Sequence, residues 1–183
     1  EGEEPEEENK IVEETEEMAI EIVAKSGGKE LAQGANVYEG QGIKYIIKVT
    51  NKTNETLSNV RLEAVNTNAI YYNTITYEED VYGTVVTKTK TVEDETLTSK
   101  VLEIKEIPAG ETVEVKYQIS VKEVTEENQK VTGTLKVNAE GIEEKSIDMI
   151  ENNIITAKIK PTLLFGFSEN VTTGANEGFP VEM

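Results

Sequence analysis

From Thr112 to Lys122 the chain alternates without a break. Val113, Val115, Tyr117, Ile119 and Val121 fall on one side, and Glu114, Lys116, Gln118, Ser120 and Lys122 on the other. Only a strand, with its residue period of two, gathers such a set on one face and leaves the other to water. Gly42–Asn51 repeats the pattern, with Ile43, Tyr45, Ile47 and Val49 opposed to Lys44, Lys48 and Thr50. Val60-Arg61-Leu62-Glu63-Ala64 and Val101–Ile107 alternate too, as do Val131, Gly133, Leu135, Val137 and Ala139. A further alternation, Ile155, Ala157 and Ile159, follows Asn152-Asn153. The three blocks 42–66, 101–121 and 131–160 therefore read as strands.

The breaks between them carry turn chemistry. Gly34-Ala35-Asn36, Glu39-Gly40-Gln41-Gly42, the polar run 51–56 and Pro108-Ala109-Gly110-Glu111 are such turns. Residues 71–92 hold two β-branched, aromatic runs, 71–77 and 84–92, with Glu78-Glu79-Asp80 and Gly83 between them, the mark of a hairpin. Met18, Ile20, Ile22 and Ala24 fit a strand over 18–25. Seven or more short strands without a convincing helix predict an all-β antiparallel sandwich. Burial of each large aliphatic contributes ~1.5–3 kcal/mol, so some fifteen to twenty of them are about enough to offset chain entropy.

The 183 residues suit one domain of about 120–150 residues with flanks. Residues 1–17 hold ten Glu against one Lys, half of the net charge of −18, and read as an acidic disordered tail. The sandwich is expected over 18–160, and 161–183 as an appended strand or the start of a following repeat. The first residue is not Met, and no signal peptide or lipidation motif occurs, which reads as an excerpt of a longer chain. Gly34-Ala35-Asn36 followed by Glu39-Gly40 resembles Gly174-Ala175-Asn176 followed by Glu177-Gly178, 140 positions later, which suggests a repeat. The apolar Leu163-Leu164-Phe165 is then expected to pair as a strand over 162–168, against the sandwich or a neighbouring molecule.

Three stretches together carry a family resemblance. They are Gly42–Thr53 with Leu57–Leu62, then Leu102–Tyr117 with its Ile107-Pro108-Ala109-Gly110-Glu111, then Asn152–Ile159. Over residues 19–160 the chain resembles the immunoglobulin-like repeats of unknown function found in tandem on Gram-positive and archaeal surface proteins. Those repeats run "xYxIxVTNxG…xxVxVxD", then "I…PAGExxxxxY", then "NxAxV"; bacterial cell-adhesion modules share the first half. Here Ala64-Val65-Asn66-Thr67-Asn68 replaces the usual Asp-Thr-Leu-Pro, and the hairpin at 71–92 stands as an insertion. The resemblance implies an immunoglobulin-like sandwich in an extracellular, non-catalytic spacer or adhesion module on a bacterial surface or wall. Its partners would be adjacent repeats of the same polypeptide. It lends no catalytic residues.

The residues themselves point the same way. The excess of 36 acidic over 18 basic side chains disfavours nucleic acid and anionic membranes. No apolar run reaches the ~18–20 residues of a membrane span. Without His or Cys the chain lacks the commonest general base, the thiol nucleophile and imidazole or thiolate zinc ligands. No Ser-x-x-Lys or Gly-x-Ser-x-Gly occurs, so no enzyme, cofactor or metal is expected. Glu78-Glu79-Asp80 offers at most a partial calcium set and reads better as a solvated turn. A Lys–Asn isopeptide link between Lys44 or Lys48 and Asn138 or Asn152 has no spacing to single it out. Asn51, Asn54 and Asn170 open glycosylation sequons. The best binding candidate is the tyrosine set Tyr71, Tyr72, Tyr77 and Tyr82. As cross-strand pairs these rings are structural; as an exposed set they would hold a glycan or a host protein.

Overall fold

A computed structural model describes residues 9–156 of the chain. The strands in chain order are β1 (Lys10–Glu14), β2 (Met18–Ser26), β3 (Lys29–Glu30), β4 (Asn36–Tyr38), β5 (Gly42–Asn51), β6 (Leu57–Asn66) and β7 (Ala69–Val81). They continue with β8 (Thr84–Asp94), β9 (Lys100–Ile107), β10 (Thr112–Val121), β11 (Lys130–Val131), β12 (Gly133–Ala139), β13 (Ile142–Asp148) and β14 (Asn152–Ile155). One sheet runs β1-β2-β5-β10-β7-β8, with β3 beside β2. The opposing sheet runs β13-β12-β6-β9, and β11-β14-β4 closes one side with a parallel β14–β4 pair.

The alternation places the core. Ile43, Tyr45, Ile47 and Val49 of β5, with Ile20 and Ile22 of β2 and Tyr117 and Ile119 of β10, face Val60, Leu62, Ala64, Leu135, Val137 and Ile147 of the other sheet in one buried cluster. The chain is an antiparallel β-sandwich with an inserted hairpin, β7–β8. Residues 10–14, read from sequence as part of the acidic tail, form β1, because Ile11 packs against the core and Lys10–Glu14 pair with Ala19–Val23. In β14 the phase is opposite to the expected one: Asn152, Ile154 and Thr156 are buried and Ile155 is half-exposed. The proposed repeat and the strand at 162–168 lie outside the described residues.

Register fixes where the chain enters and leaves. Lys10 sits beside Val23, Val23 beside Ile46 and Ile46 beside Lys116, while Glu14 lies level with Thr112. So β1 runs from the Val121 end of β10 toward its Thr112 end. β14 runs the other way, parallel to β4, whose following turn bonds to Val121 through Gly40 N–H (2.8 Å to the Val121 carbonyl). Entry and exit both face the Val121 end.

A buried asparagine ties the Thr112 end. Asn51 (0% exposed) continues the core phase of β5. Its Nδ2 donates to the carbonyls of Glu55 (2.7 Å) and Ile107 (2.9 Å), and its Oδ1 accepts from Thr53 N (2.9 Å) and Thr53 Oγ1 (2.7 Å). Its backbone holds the β9–β10 turn, with N–H to Glu111 O at 2.9 Å and the carbonyl accepting from Gly110 N at 3.0 Å. Asn51→Ala leaves the buried Ile107 carbonyl without its partner and unties the Thr53–Glu55 turn, and should destabilise the domain by about 2–4 kcal/mol. Urea unfolding should show a lowered midpoint at an unchanged slope.

Candidate functional site

The feature that sets this sandwich apart is the β7–β8 ribbon. β7 pairs with β10 at only three positions, Ala69, Ile70 and Tyr71, and then leaves the sheet. Its pairing with β8 continues for ten more positions, from Tyr72↔Glu93 to Val81↔Thr84, a length of about 33 Å at ~3.3 Å per residue. Beyond Tyr71 neither outer edge of the ribbon is paired within the sheets described. Glu78-Glu79-Asp80, expected as the turn, are strand residues; the turn is Tyr82-Gly83, with φ of +53° and +85°. Both central residues in the left-handed region make a two-residue loop that suits strand twist, which glycine adopts freely and tyrosine only at a cost. Gly83 N–H donates to Asp80 Oδ1 at 2.7 Å and closes it.

Directly opposed residues share a face. The Tyr71 face carries Val92, Ile75, Tyr77, Val86 and Val81, partly apolar, with Lys88 and Lys90 among them. Lys90 Nζ stands 5.1 Å from the Tyr77 ring centroid, and Lys88 pairs with Glu79 at 3.0 Å. The other face is a threonine array: Thr74 opposes Thr91, Thr76 opposes Thr89, and Thr87 opposes Glu78.

The four tyrosines named from sequence therefore do not form one site. Tyr71 is a core residue, 1% exposed. Tyr72 is half-buried on the threonine face, near Ser120 and Glu93 (both 3.4 Å). Tyr77 is capped by Lys90, and Tyr82 stands wholly exposed at the tip. No two of them make a common ring platform.

Tyr71 instead anchors the ribbon. Its hydroxyl accepts from Asn66 N–H at 2.6 Å, and Asn66 Oδ1 accepts from the Tyr117 hydroxyl at 2.8 Å. Tyr117 stacks on Tyr45 with centroids 5.1 Å apart. Gly133 lies against this group: a Cβ there would fall 2.5 Å from Asn66 Nδ2 and 3.0 Å from Met149 Sδ. Burial pushes the hydroxyl pKa of all three rings upward, reinforced for Tyr117 and Tyr45 by the neighbouring phenols and opposed at Tyr71 by the Asn66 N–H. At the ribbon base Asp94 Oδ1 accepts from Thr96 Oγ1 (2.6 Å) and Thr96 N (3.0 Å), and Oδ2 from Asn73 Nδ2 (3.3 Å). The Thr96 bonds, chiefly, hold its carboxyl below the usual carboxylate range.

Asn66 and Asp94 were not singled out from sequence. A signal existed for Asn66, which continues the core phase of Leu62 and Ala64 with a polar side chain. The other candidates are not assembled. Glu79 and Asp80 are engaged as above and face opposite sides. Lys44 and Lys48 are exposed, away from the core side of their strand, whereas Asn152 is buried with its Nδ2 on the Ala32 and Ala35 carbonyls (3.1 Å each). Asn51, the first sequon residue, is buried and fully bonded.

No protein-family model and no curated protein matches the chain. Among solved structures it is similar to the C-terminal domain of wzt, at 10% identity over 83% of this chain and 80% of that one, with a TM-score of 0.43. It is also similar to the CARDB domain of a Pyrococcus furiosus protein in complex with di-metal ions, at 10% identity over 79% and 99%, TM-score 0.40. A FixG-related protein from Vibrio parahaemolyticus matches at 11% identity over 78% and 99%, TM-score 0.40. Likeness at this level assigns neither family nor activity.

The shifts fix a pH profile. A raised tyrosine pKa stabilises the fold fully below the ordinary value of 10.0, and that contribution is lost as pH climbs above it. The depressed Asp94 acts in reverse: its contribution is present above 3.8 and lost as pH falls below. With no His in the chain, no side chain of ordinary pKa titrates between pH 6 and 8. Melting temperature should be flat from pH 6 to 8 and fall in both outer ranges. A shift of several degrees within pH 6–8 would contradict this assignment of the titrating groups.

Proposed function

We propose that this chain is a non-catalytic extracellular module of a bacterial surface protein, whose β7–β8 ribbon is held out for contact with another protein. The observation that carries the reading is the departure of β7 from the sheet after three residues, which leaves two unpaired strand edges in solvent. A free edge offers its N–H and C=O groups to an added strand, and alternate side chains give selectivity. Three features blunt indiscriminate pairing: Lys88 and Lys90, the Glu79 ion pair and the twist imposed by the turn. A glycan partner is less well supported, because the rings are dispersed rather than side by side. An in-line spacer fits less well too, because a spacer transmits the chain from one end to the other, whereas β1 and β14 face the same end.

The test compares the full chain with a variant in which residues 74–91 are replaced by Asn-Gly, keeping Tyr71, Tyr72 and Asp94. Beads coated with each protein are washed over immobilised extracellular-matrix proteins and over a glycan array. The shortened variant should keep its melting temperature and lose retention on a protein surface at least about tenfold, some 1.4 kcal/mol. Equal retention of the two would return the module to a spacer role. Loss confined to the glycan array would make the ligand a carbohydrate.

A further inference from the structure

The outer face of the seven-stranded sheet is divided by charge. Across its upper rows, Lys25 of β2 lies beside Lys44 of β5 and Gln118 of β10, and in the next row Lys10 of β1, Val23, Ile46 and Lys116 stand side by side. Four lysines thus surround a small apolar centre. The acids within these rows are Glu30 of β3, opposite Lys25, and Glu93 of β8, opposite Tyr72 at the far side of the sheet. One row lower the sign reverses, with Glu21 and Glu114 flanking Lys48. Lys25 and Lys44 make no ion pair among the described residues, and Lys10 and Lys116 reach Glu21 and Glu114 only at 3.8 and 3.9 Å. Lys25, Lys44 and Gln118 also line a hollow with the Gly27-Gly28 turn. In a chain of net charge −18, four lysines against two carboxylates is a local inversion.

The complementary charge is in the same chain. Residues 1–8 hold six Glu and no basic residue, and they lead through Asn9 into Lys10, which is itself one of the four lysines. Nine residues reach about 30 Å when extended. From β1 to β10 is three strand spacings, about 14 Å. The segment is therefore long enough to cross the whole patch, and its attachment point keeps its local concentration high whatever the protein concentration.

We propose that the Glu-rich residues 1–8 dock on this lysine patch, crossing β2, β5 and β10 at the Lys25, Lys44 and Lys116 rows. The contact is between exposed charges, so it tightens at low ionic strength and dissolves when the Debye length falls to about 3 Å in 1 M salt. Docked, the segment covers the one basic surface described above, so anionic polymers meet an acidic molecule on that side as well.

The chain has no cysteine, so Gly2→Cys creates a unique thiol for a nitroxide in the otherwise intact protein. Amide resonances are then compared in about 10 mM and 1 M NaCl, where screening lengths are roughly 30 and 3 Å. At low salt the label should broaden Lys44, Lys116 and Gln118, which lie two or three strands away from Lys10. High salt should abolish that broadening, and so should replacing Glu1, Glu3, Glu4, Glu6, Glu7 and Glu8 with Gln. Broadening confined to β1 and the adjoining edge of β2 would overturn the proposal. So would broadening of β5 and β10 that survives both the salt and the Gln variant, since the contact would then not be electrostatic.

Discussion

Everything in this sandwich is hung on β5, which pairs with β2 over Lys44–Asn51 and with β10 over Gly42–Thr50. Its register with β2 and β10 is set by one fact, that Ile43, Tyr45, Ile47 and Val49 must share the dry face. A slip of one residue would turn those four to water and bring Lys44 and Lys48 into the core, so the pairing has no nearby alternative. The same requirement stacks the outward residues of the three strands into rows. The lysine rows of the outer face thus follow from core packing together with the choice of polar residue at each outward position.

The two ends of the core are fixed by polar groups rather than by hydrophobic ones. Asn51 gathers three segments at the Thr112 end, and Asn66 links Tyr71 to Tyr117 at the other. Hydrophobic contact is non-directional and would tolerate small shifts of the loops. A buried amide whose donors and acceptors have fixed partners does not. For the ribbon this matters most: its junction rests on three ladder pairs, the Tyr71 hydroxyl, the Lys100 ammonium on the Tyr72 carbonyl (2.9 Å) and the closure of Asp94 on Thr96 and Asn73.

The sequence showed the alternating strands because each carries its core signal within itself. Gly42–Asn51, Leu57–Asn66 and Thr112–Val121 are legible for that reason, and Lys44 and Lys48 were correctly placed outward. What could not be read depends on partners far away in sequence. β1 looks like tail because its Glu content hides the single Ile11 contact, and it exists as a strand only by pairing with β2. β13 has a mostly exposed pattern and a bulge near Ala139, so its strand character comes from β12. The phase of β14 is set by the parallel pairing with β4 and by the carbonyls that take the Asn152 amide. The ribbon was legible as a hairpin, and alternation alone puts Tyr71 and Tyr77 on one face and Tyr72 on the other. What the sequence left open was burial, since Tyr71 is drawn into the core only by its pairing with Ile119 of β10.

The shared direction of entry and exit has a mechanical side. Tension applied between the two flanks of this domain acts across one end of the sandwich, roughly perpendicular to the strands. It reaches β1 at Lys10 and β14 at Ile155, the first ladder bonds on each path, and opens them in turn, like a zip. A sandwich entered at one end and left at the other loads a whole ladder in shear, so that many bonds must break together. Under equal force this fold would give way by peeling from its outer strands, while β5 with its two neighbours stayed closed longest.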